Sequence, residues 1–281
     1  MLSKFDYSKN FLKNDDLLIC PICKERLILN DHSLACKNKH TYDISKKGIT
    51  TLVSHSHIKE SKIYNYELFS NRRKFIQKMY YKDLYNKIIN IIKQNFDKKI
   101  NIVDLGCGEG AHTMNILNSL KQNYIYYGFD YSKTAIDMAS CYNSDFRFYF
   151  VADVNNVPIK DNSIDLIIDI LSPYNQFEIK RLLKKNGIFI KVAPGKDYLK
   201  EMRASTNIST YDKDIEVEQN LNKNFKVVKK QHILNTYPIT KDDFKLLLKM
   251  SPMYNDKVFN IPEKITIDLM VYMVNAKTAN L

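Results

Sequence analysis

From residue 99 onward the chain alternates two hydrophobic periods. Apolar runs of strand length occupy 100–105, 125–130, 146–152, 164–171 and 188–193. Between them, 111–120, 133–141 and 176–183 carry the three-to-four spacing of helices. This alternation predicts an α/β domain with a parallel sheet covered by helices on both faces. Beyond residue 198 the pattern changes to a strand-like 225–234, a helix over 241–250 and a strand-like 264–274.

Upstream, Leu68, Phe69, Phe75, Ile76 and Met79 recur at helical spacing, as do Leu84, Ile88, Ile91 and Ile92. Residues 15–53 read instead as short strands and turns, with 27–29 and 33–35 flanking the turn-former run Asn30-Asp31-His32 and a further turn at Gly48. The polar stretch 54–62, with His55 and His57, reads as a linker. It would leave the two parts it joins free to vary the width of a cleft between them.

The chain has 281 residues, 44% of them hydrophobic, enough for one large domain and a small one. Its first ten residues hold charges and no leader-like apolar run, and no run approaches membrane-spanning length. The expectation is a soluble, cytoplasmic protein. Five cysteines, three of them clustered, fit a reducing compartment and a metal site better than a disulfide framework.

A net charge of +12 favours polyanionic partners. The excess concentrates in residues 61–100, which hold ten Lys/Arg against three Asp/Glu. Arg72, Arg73, Lys74 and Lys78 share one helix there, followed by Tyr80, Tyr81 and Tyr85. Phosphate contact and base stacking by RNA is one reading of this segment. An ordinary solvated helix face in a Lys-rich chain is the other.

Two motifs carry chemistry. Cys20, Cys23, Cys36 and His40 follow C-x2-C-x12-C-x3-H. Four protein ligands close a tetrahedral zinc site and leave no position for a reactive water, so the metal is structural. His32 falls in the hairpin turn and reads as a surface residue, whereas His112 lies in the helix after the second motif.

That second motif, Val103-Asp-Leu-Gly-Cys-Gly-Glu-Gly110, sits where the first strand becomes a helix. Gly106, Gly108 and Gly110 let the backbone turn tightly and a ligand approach. Asp104, Asp130 and Asp153 fall at or after the ends of the first three strands. Asp130 is placed for ribose hydroxyls and Asp153 for an adenine amino group. Glu109 disfavours a pyrophosphate, leaving S-adenosylmethionine as the expected ligand.

These residues, with Gly128-Phe-Asp130, Ser132-Lys-Thr-Ala-Ile136, Ala152-Asp153 and Pro158, resemble the class I methyltransferase pattern. Joined to Cys20-Pro-Ile-Cys23, Cys36-Lys-Asn-Lys-His40, Arg72-Arg73 and Ala193-Pro-Gly195, roughly residues 15–205 resemble the bacterial 23S rRNA (guanine-N1) methyltransferases. That family modifies hairpin 35, and one branch confers resistance to tylosin-type macrolides. The resemblance implies a Rossmann-like seven-stranded sheet with an antiparallel last strand, zinc and S-adenosylmethionine as cofactors, 23S rRNA as partner, and room for a homodimer. It divides the chain into a zinc-binding RNA-recognition domain (1–56), a basic helical segment (57–97) and a methyltransferase domain (98–281). Where family members carry Gly-Asp and Gly-Tyr-Tyr around the basic helix, this chain has Ile63-Tyr-Asn65 and Met79-Tyr-Tyr81.

Methyl transfer to guanine N1 requires removal of the N1 proton and a base drawn out of its stack. Asp169 and Tyr174, at the end of the fourth strand, fit proton acceptor and stacking platform. A solvated Asp169 and a helix-packed Tyr174 fit equally well. Two other functions share the sequence features, an RNA-binding protein with an inactive methyltransferase fold and a small-molecule methyltransferase.

Overall fold

The computed structural model describes residues 2–54, 62–121, 124–206, 214–252 and 260–276. The expected linker, with His55 and His57, lies almost wholly outside the described residues, as does the boundary set at 56/57. Helix α1 (Lys4–Lys13) leads into a three-stranded antiparallel sheet, β1 (Ile28–Asn30), β2 (Ser33–Ala35) and β3 (Thr41–Asp43). After β4 (Thr51–Leu52) come α2 (Tyr66–Gln77) and α3 (Lys82–Asn95), separated where Met79 takes a left-handed conformation.

The alternating region then gives β5 (Ile100–Leu105), α4 (Ala111–Leu117), β6 (Tyr124–Asp130), α5 (Lys133–Ala139), β7 (Arg147–Ala152), β8 (Ile164–Ile170), α6 (Gln176–Leu182) and β9 (Leu183–Pro194). It closes with α7 (Lys200–Thr206), α8 (Asp214–Asn224), β10 (Phe225–Pro238), α9 (Lys241–Met250) and β11 (Lys264–Ala276). The strands form one sheet in the order β10-β11-β9-β8-β5-β6-β7-β4, in which β11 runs antiparallel to both neighbours. The expected seven strands are all present. The eighth, β4, comes from the N-terminal segment and pairs in parallel with β7 through Thr51↔Val151 and Leu52↔Ala152.

Because strand side chains alternate faces, each apolar run feeds two cores. Ile102, Tyr126, Tyr149, Ile168 and Ile190 pack on one side with α2, α3, α4 and α9. Val103, Tyr127, Phe129, Phe148, Phe150, Ile167 and Phe189 pack on the other, and there the partners include Phe11 and Leu12 of α1, Leu34 of the small sheet, and Leu18, Cys20 and Cys36 beside it. Phe11 stacks on Phe148 with centroids 5.4 Å apart and meets the edge of Tyr127 at 5.3 Å.

The N-terminal segment therefore differs from the hinged domain its polar linker predicts. A sheet of three-residue strands cannot enclose a core, and it buries its apolar side on the large sheet instead. Backbone bonds complete the seam: Ile19 N–H donates to the Pro158 carbonyl (3.0 Å) and Lys160 N–H to that of Leu17 (2.9 Å). The Asn156 amide donates to the Pro21 carbonyl at 3.0 Å. Arg181, from α6, stiffens the receiving loop by donating to the Ile159 and Val157 carbonyls and to the carboxylates of Glu178 and Asp161, all at 2.6–2.9 Å. No helix among the described residues is long and apolar enough to cross a membrane.

Arg181→Ala leaves those two carbonyls and Glu178 without their cationic partner, so unfolding in urea should show a loss of about 3 kcal/mol. An unchanged midpoint would mean that the loop holds without it.

Candidate functional site

The four expected metal ligands converge. Their ligand atoms all lie within 4.8 Å of one another. Cys23 and Cys36 sulfurs are 3.6 Å apart, and His40 Nδ1 is 3.5 Å from Cys20 Sγ and 3.4 Å from Cys36 Sγ. A tetrahedral zinc with bonds of roughly 2.0–2.3 Å sets its ligands about 3.5–3.7 Å apart, so the donor set and the spacing both fit. Each half of the cluster closes with a turn, Lys24 N–H donating to the Cys20 carbonyl and Lys39 N–H to that of Cys36, each at 2.9 Å. Lys24 and Lys39 are both left-handed. Burial raises the Cys23 thiol, but hydrogen bonds from the Glu25 backbone, Asn38 and His40 outweigh it and bring it to about 6, toward the thiolate a metal needs. Tyr42, whose hydroxyl lies 3.1 Å from Cys20 Sγ, supports the first ligand from behind.

The second motif folds as a turn from β5 into α4. Gly106 (φ +63°) and Gly108 (φ +57°) are left-handed, and a Cβ on Gly106 would meet that of Ser172 at 2.7 Å. Gly110 caps α4. Asp130 ends β6 and accepts from the N–H groups of Gly108 (3.0 Å) and Ser132 (2.8 Å), one on each oxygen. Each oxygen retains a lone pair for a ribose hydroxyl. Asp153 follows β7 and accepts from the Asn155 backbone at 2.8 Å and its amide at 3.1 Å, in the loop on which the small sheet docks. A left-handed glycine turn with a carboxylate at the next strand end thus fits an adenosine-bearing ligand.

Asp104 stands apart from these ligand positions. It is buried behind the turn and accepts from the hydroxyls of Thr113 and Tyr126. Burial pushes its carboxyl up to about 7. Its work is to brace β5 against α4 and β6.

The basic helix divides. Lys74 and Lys78 face solvent, Lys78 in a 2.9 Å pair with Asp243. Arg72 and Arg73, expected on RNA phosphates with them, turn inward. Arg73 donates to the Glu109 (2.8 Å) and Met138 (3.1 Å) carbonyls and lies over the Tyr142 ring at 5.1 Å. Arg72 donates to the Met250 carbonyl at 3.3 Å, and its other terminal nitrogen faces Gly108. The physical reason is the buried Glu109 carboxyl, raised by burial and drawn back down by both guanidiniums. Tyr81 and Tyr85 are buried as well and bond to Tyr198 (2.8 Å) and His112 (2.9 Å), so neither is open to a base. His112 is held neutral, burial lowering it to about 3.

At the end of β8, Asp169 is fully buried and its Oδ1 accepts from Lys191 Nζ at 2.8 Å and Ser172 N–H at 3.1 Å. Its Oδ2 has no hydrogen-bond partner. Burial raises the carboxyl and the Lys191 ammonium opposes it, leaving it at about 6. Tyr174 is half-buried, 5.5 Å from Phe189 and 5.3 Å from Lys191 Nζ. Lys191 escaped the sequence reading, although a lone lysine inside the apolar run Ile188-Phe-Ile-Lys-Val-Ala193 was a visible signal.

Comparison with known proteins agrees with both motifs. The family described as "Methyltransferase domain" matches residues 96–250, and "RlmA, N-terminal", a zinc ribbon, matches residues 18–62. A Bacillus subtilis protein provisionally named a 23S rRNA (guanine-N1) methyltransferase is 35% identical, in an alignment spanning 66% of each chain, just under two thirds. The 23S rRNA (guanine(748)-N1)-methyltransferase of Streptomyces fradiae is 23% identical over 84% of each chain. Among solved structures, a chain of the complex between the Haloferax volcanii Trm112 methyltransferase activator and a methyltransferase shares the fold, with a TM-score of 0.52, 15% identity and coverage of 78% of this chain and all of that one.

One zinc per chain is expected by elemental analysis. Cys36→Ser should lose it and melt roughly 10 °C lower. Asp104 gives a pH signature. Its folded carboxyl titrates at about 7 against 3.8 ordinarily. Between those values the folded chain keeps a proton that the unfolded chain has released, so stability through this group falls as pH rises and is lowest above 7. Asp104→Asn removes that component, and its melting temperature from pH 5 to 8 should decline less steeply than the parent's.

Proposed function

The chain belongs to the methyltransferase family, of the RlmA type with a zinc ribbon ahead of the methyltransferase domain, and from that premise we propose that it transfers a methyl group from S-adenosylmethionine to N1 of a guanine in 23S rRNA, in the hairpin 35 region. The observation that carries the reading is the seam between ribbon and donor site. The cysteine–histidine ribbon is hydrogen-bonded to residues 156–160, immediately after Asp153. A module that holds RNA there fixes the acceptor against the donor, and placement is most of what this reaction needs.

S-adenosylmethionine supplies an electrophilic methyl on a sulfonium. Asp130 would take the ribose hydroxyls, and the loop from Asp153 would hold the adenine. As the guanine nitrogen gained the methyl, the methyl–sulfur bond would break, S-adenosylhomocysteine would leave as a neutral thioether, and N1 would give up its proton. Asp169 is the acceptor in this reading: with its carboxyl at about 6 it is largely ionised at neutral pH, and Oδ2 has an open lone pair. Because Asp169 is fully buried, this reading requires the turn at Leu171–Tyr174, where Leu171 is left-handed (φ +59°), to open for the guanine. Lys191 keeps the carboxylate ionised, and Tyr174 stacks on the extruded base. Exposed Lys74 and Lys78, with the solvent-facing rings of Tyr64 and Tyr66, lie toward the RNA backbone. The reaction takes place in the cytoplasm.

With isotope-labelled methyl donor and unmodified 23S rRNA, label should enter the RNA, and reverse transcription should stop at one guanosine of hairpin 35, since a methyl on N1 blocks pairing. Label without a stop would move the target atom, and no label in rRNA would end the reading. Asp169→Ala should retain RNA binding and lose about 10²- to 10⁴-fold in single-turnover rate.

A further inference from the structure

Arg72 lies where neither a solvated helix face nor an RNA phosphate accounts for it. Its guanidinium is half-buried between α2 and the glycine turn. One terminal nitrogen donates to the Met250 carbonyl at the end of α9 (3.3 Å), and the Phe69 ring supports the cation at 5.3 Å. The other terminal nitrogen is 3.8 Å from the point where a side chain on Gly108 would begin. A fixed cation thus overhangs the turn at the one residue whose missing side chain keeps the approach clear.

Charge decides what meets it. Glu109, which is buried, and Asp130, which is partly buried, flank the same turn, both within the field of Arg72. An RNA phosphodiester would bring only negative charge into a place already holding two carboxyls. A zwitterion brings both signs, and its carboxylate suits the planar fork of an arginine. We propose that Arg72 binds the α-carboxylate at the amino-acid end of the methyl donor, making it a cofactor-binding residue and not an RNA contact. The assignment rests on the methyl-transfer reading and adds a residue to that site. Arg73, whose terminal nitrogen is bonded to the Glu109 and Met138 carbonyls, holds the turn in place beside it.

Calorimetric binding of two nucleosides to the full chain tests this without turnover. S-adenosylhomocysteine carries the amino-acid end, and 5′-methylthioadenosine is the same nucleoside without it. Arg72→Ala should weaken S-adenosylhomocysteine roughly 30-fold, the worth of a hydrogen-bonded charge contact, and leave 5′-methylthioadenosine unchanged. Arg72→Lys should recover part of the loss, and the affinity of Arg72→Ala for a hairpin 35 RNA fragment should equal the parent's. Equal weakening of both nucleosides would reduce Arg72 to a structural brace, and no weakening of either would remove it from the site. Both results overturn the proposal while the parent's own binding upholds the methyl-transfer reading. A parent chain that binds neither nucleoside would overturn both.

Discussion

Everything in this molecule depends on one face of the large sheet being shared. Tyr127, Phe129, Phe148 and Phe150 project from β6 and β7 toward α1 and the ribbon, which have too little apolar mass of their own to close a core. The buried Asp15 carboxylate accepts from the Tyr127 hydroxyl at 2.6 Å and the Leu18 N–H at 2.9 Å, fixing the angle at which the ribbon lies. Its carboxyl is raised by burial, which those bonds only partly offset. Metal and aromatic face act on the same few residues: Cys20 and Cys36 are at once ligands and members of the core.

The carboxyl edge of the sheet is a second economy, this one of charge. Asp104, Glu109 and Asp169 are buried and Asp130 is partly buried near them, and desolvation raises all four. The fold answers them differently. Asp104 has only hydroxyls, Asp130 backbone N–H groups, Glu109 two arginines from a neighbouring helix, and Asp169 a lysine from the next strand. Those four solutions give a graded set of carboxyls in a small volume, which is what a site needs when it must hold hydroxyls in one place and take up a proton in another.

Much of this was legible in the residue order. Strand β5 and helix α9 fall where the periodicity set them, because strands apolar on both faces and helices with one apolar stripe leave unambiguous patterns. The metal ligands were readable because spacing alone brings them together. Helix α1 was not, since its two core residues, Phe11 and Leu12, are adjacent and give no period, and only the Ser3–Asp6 capping box marked it. Strand β4 was invisible for a related reason: two residues form a strand only because β7 offers an edge. The direction of Arg72 and Arg73 was equally hidden. A cluster of cations looks the same in a sequence whether it faces solvent or a buried Glu109, and only the packing of α2 against α4 separates the two.

The pairing of β4 with β7 also imposes an order on how the molecule comes into being. Thr51 and Leu52 leave the ribosome about a hundred residues before their partners Val151 and Ala152. At roughly 5–20 residues per second, that leaves the ribbon without its aromatic floor for about 5–20 seconds. Through that interval a zinc bound at Cys20, Cys23, Cys36 and His40 would be the segment's chief tether. When β7 arrives, the waiting strand pairs with the end of its outer edge, at Val151 and Ala152, and shortens the row of backbone donors and acceptors that a second nascent chain could join.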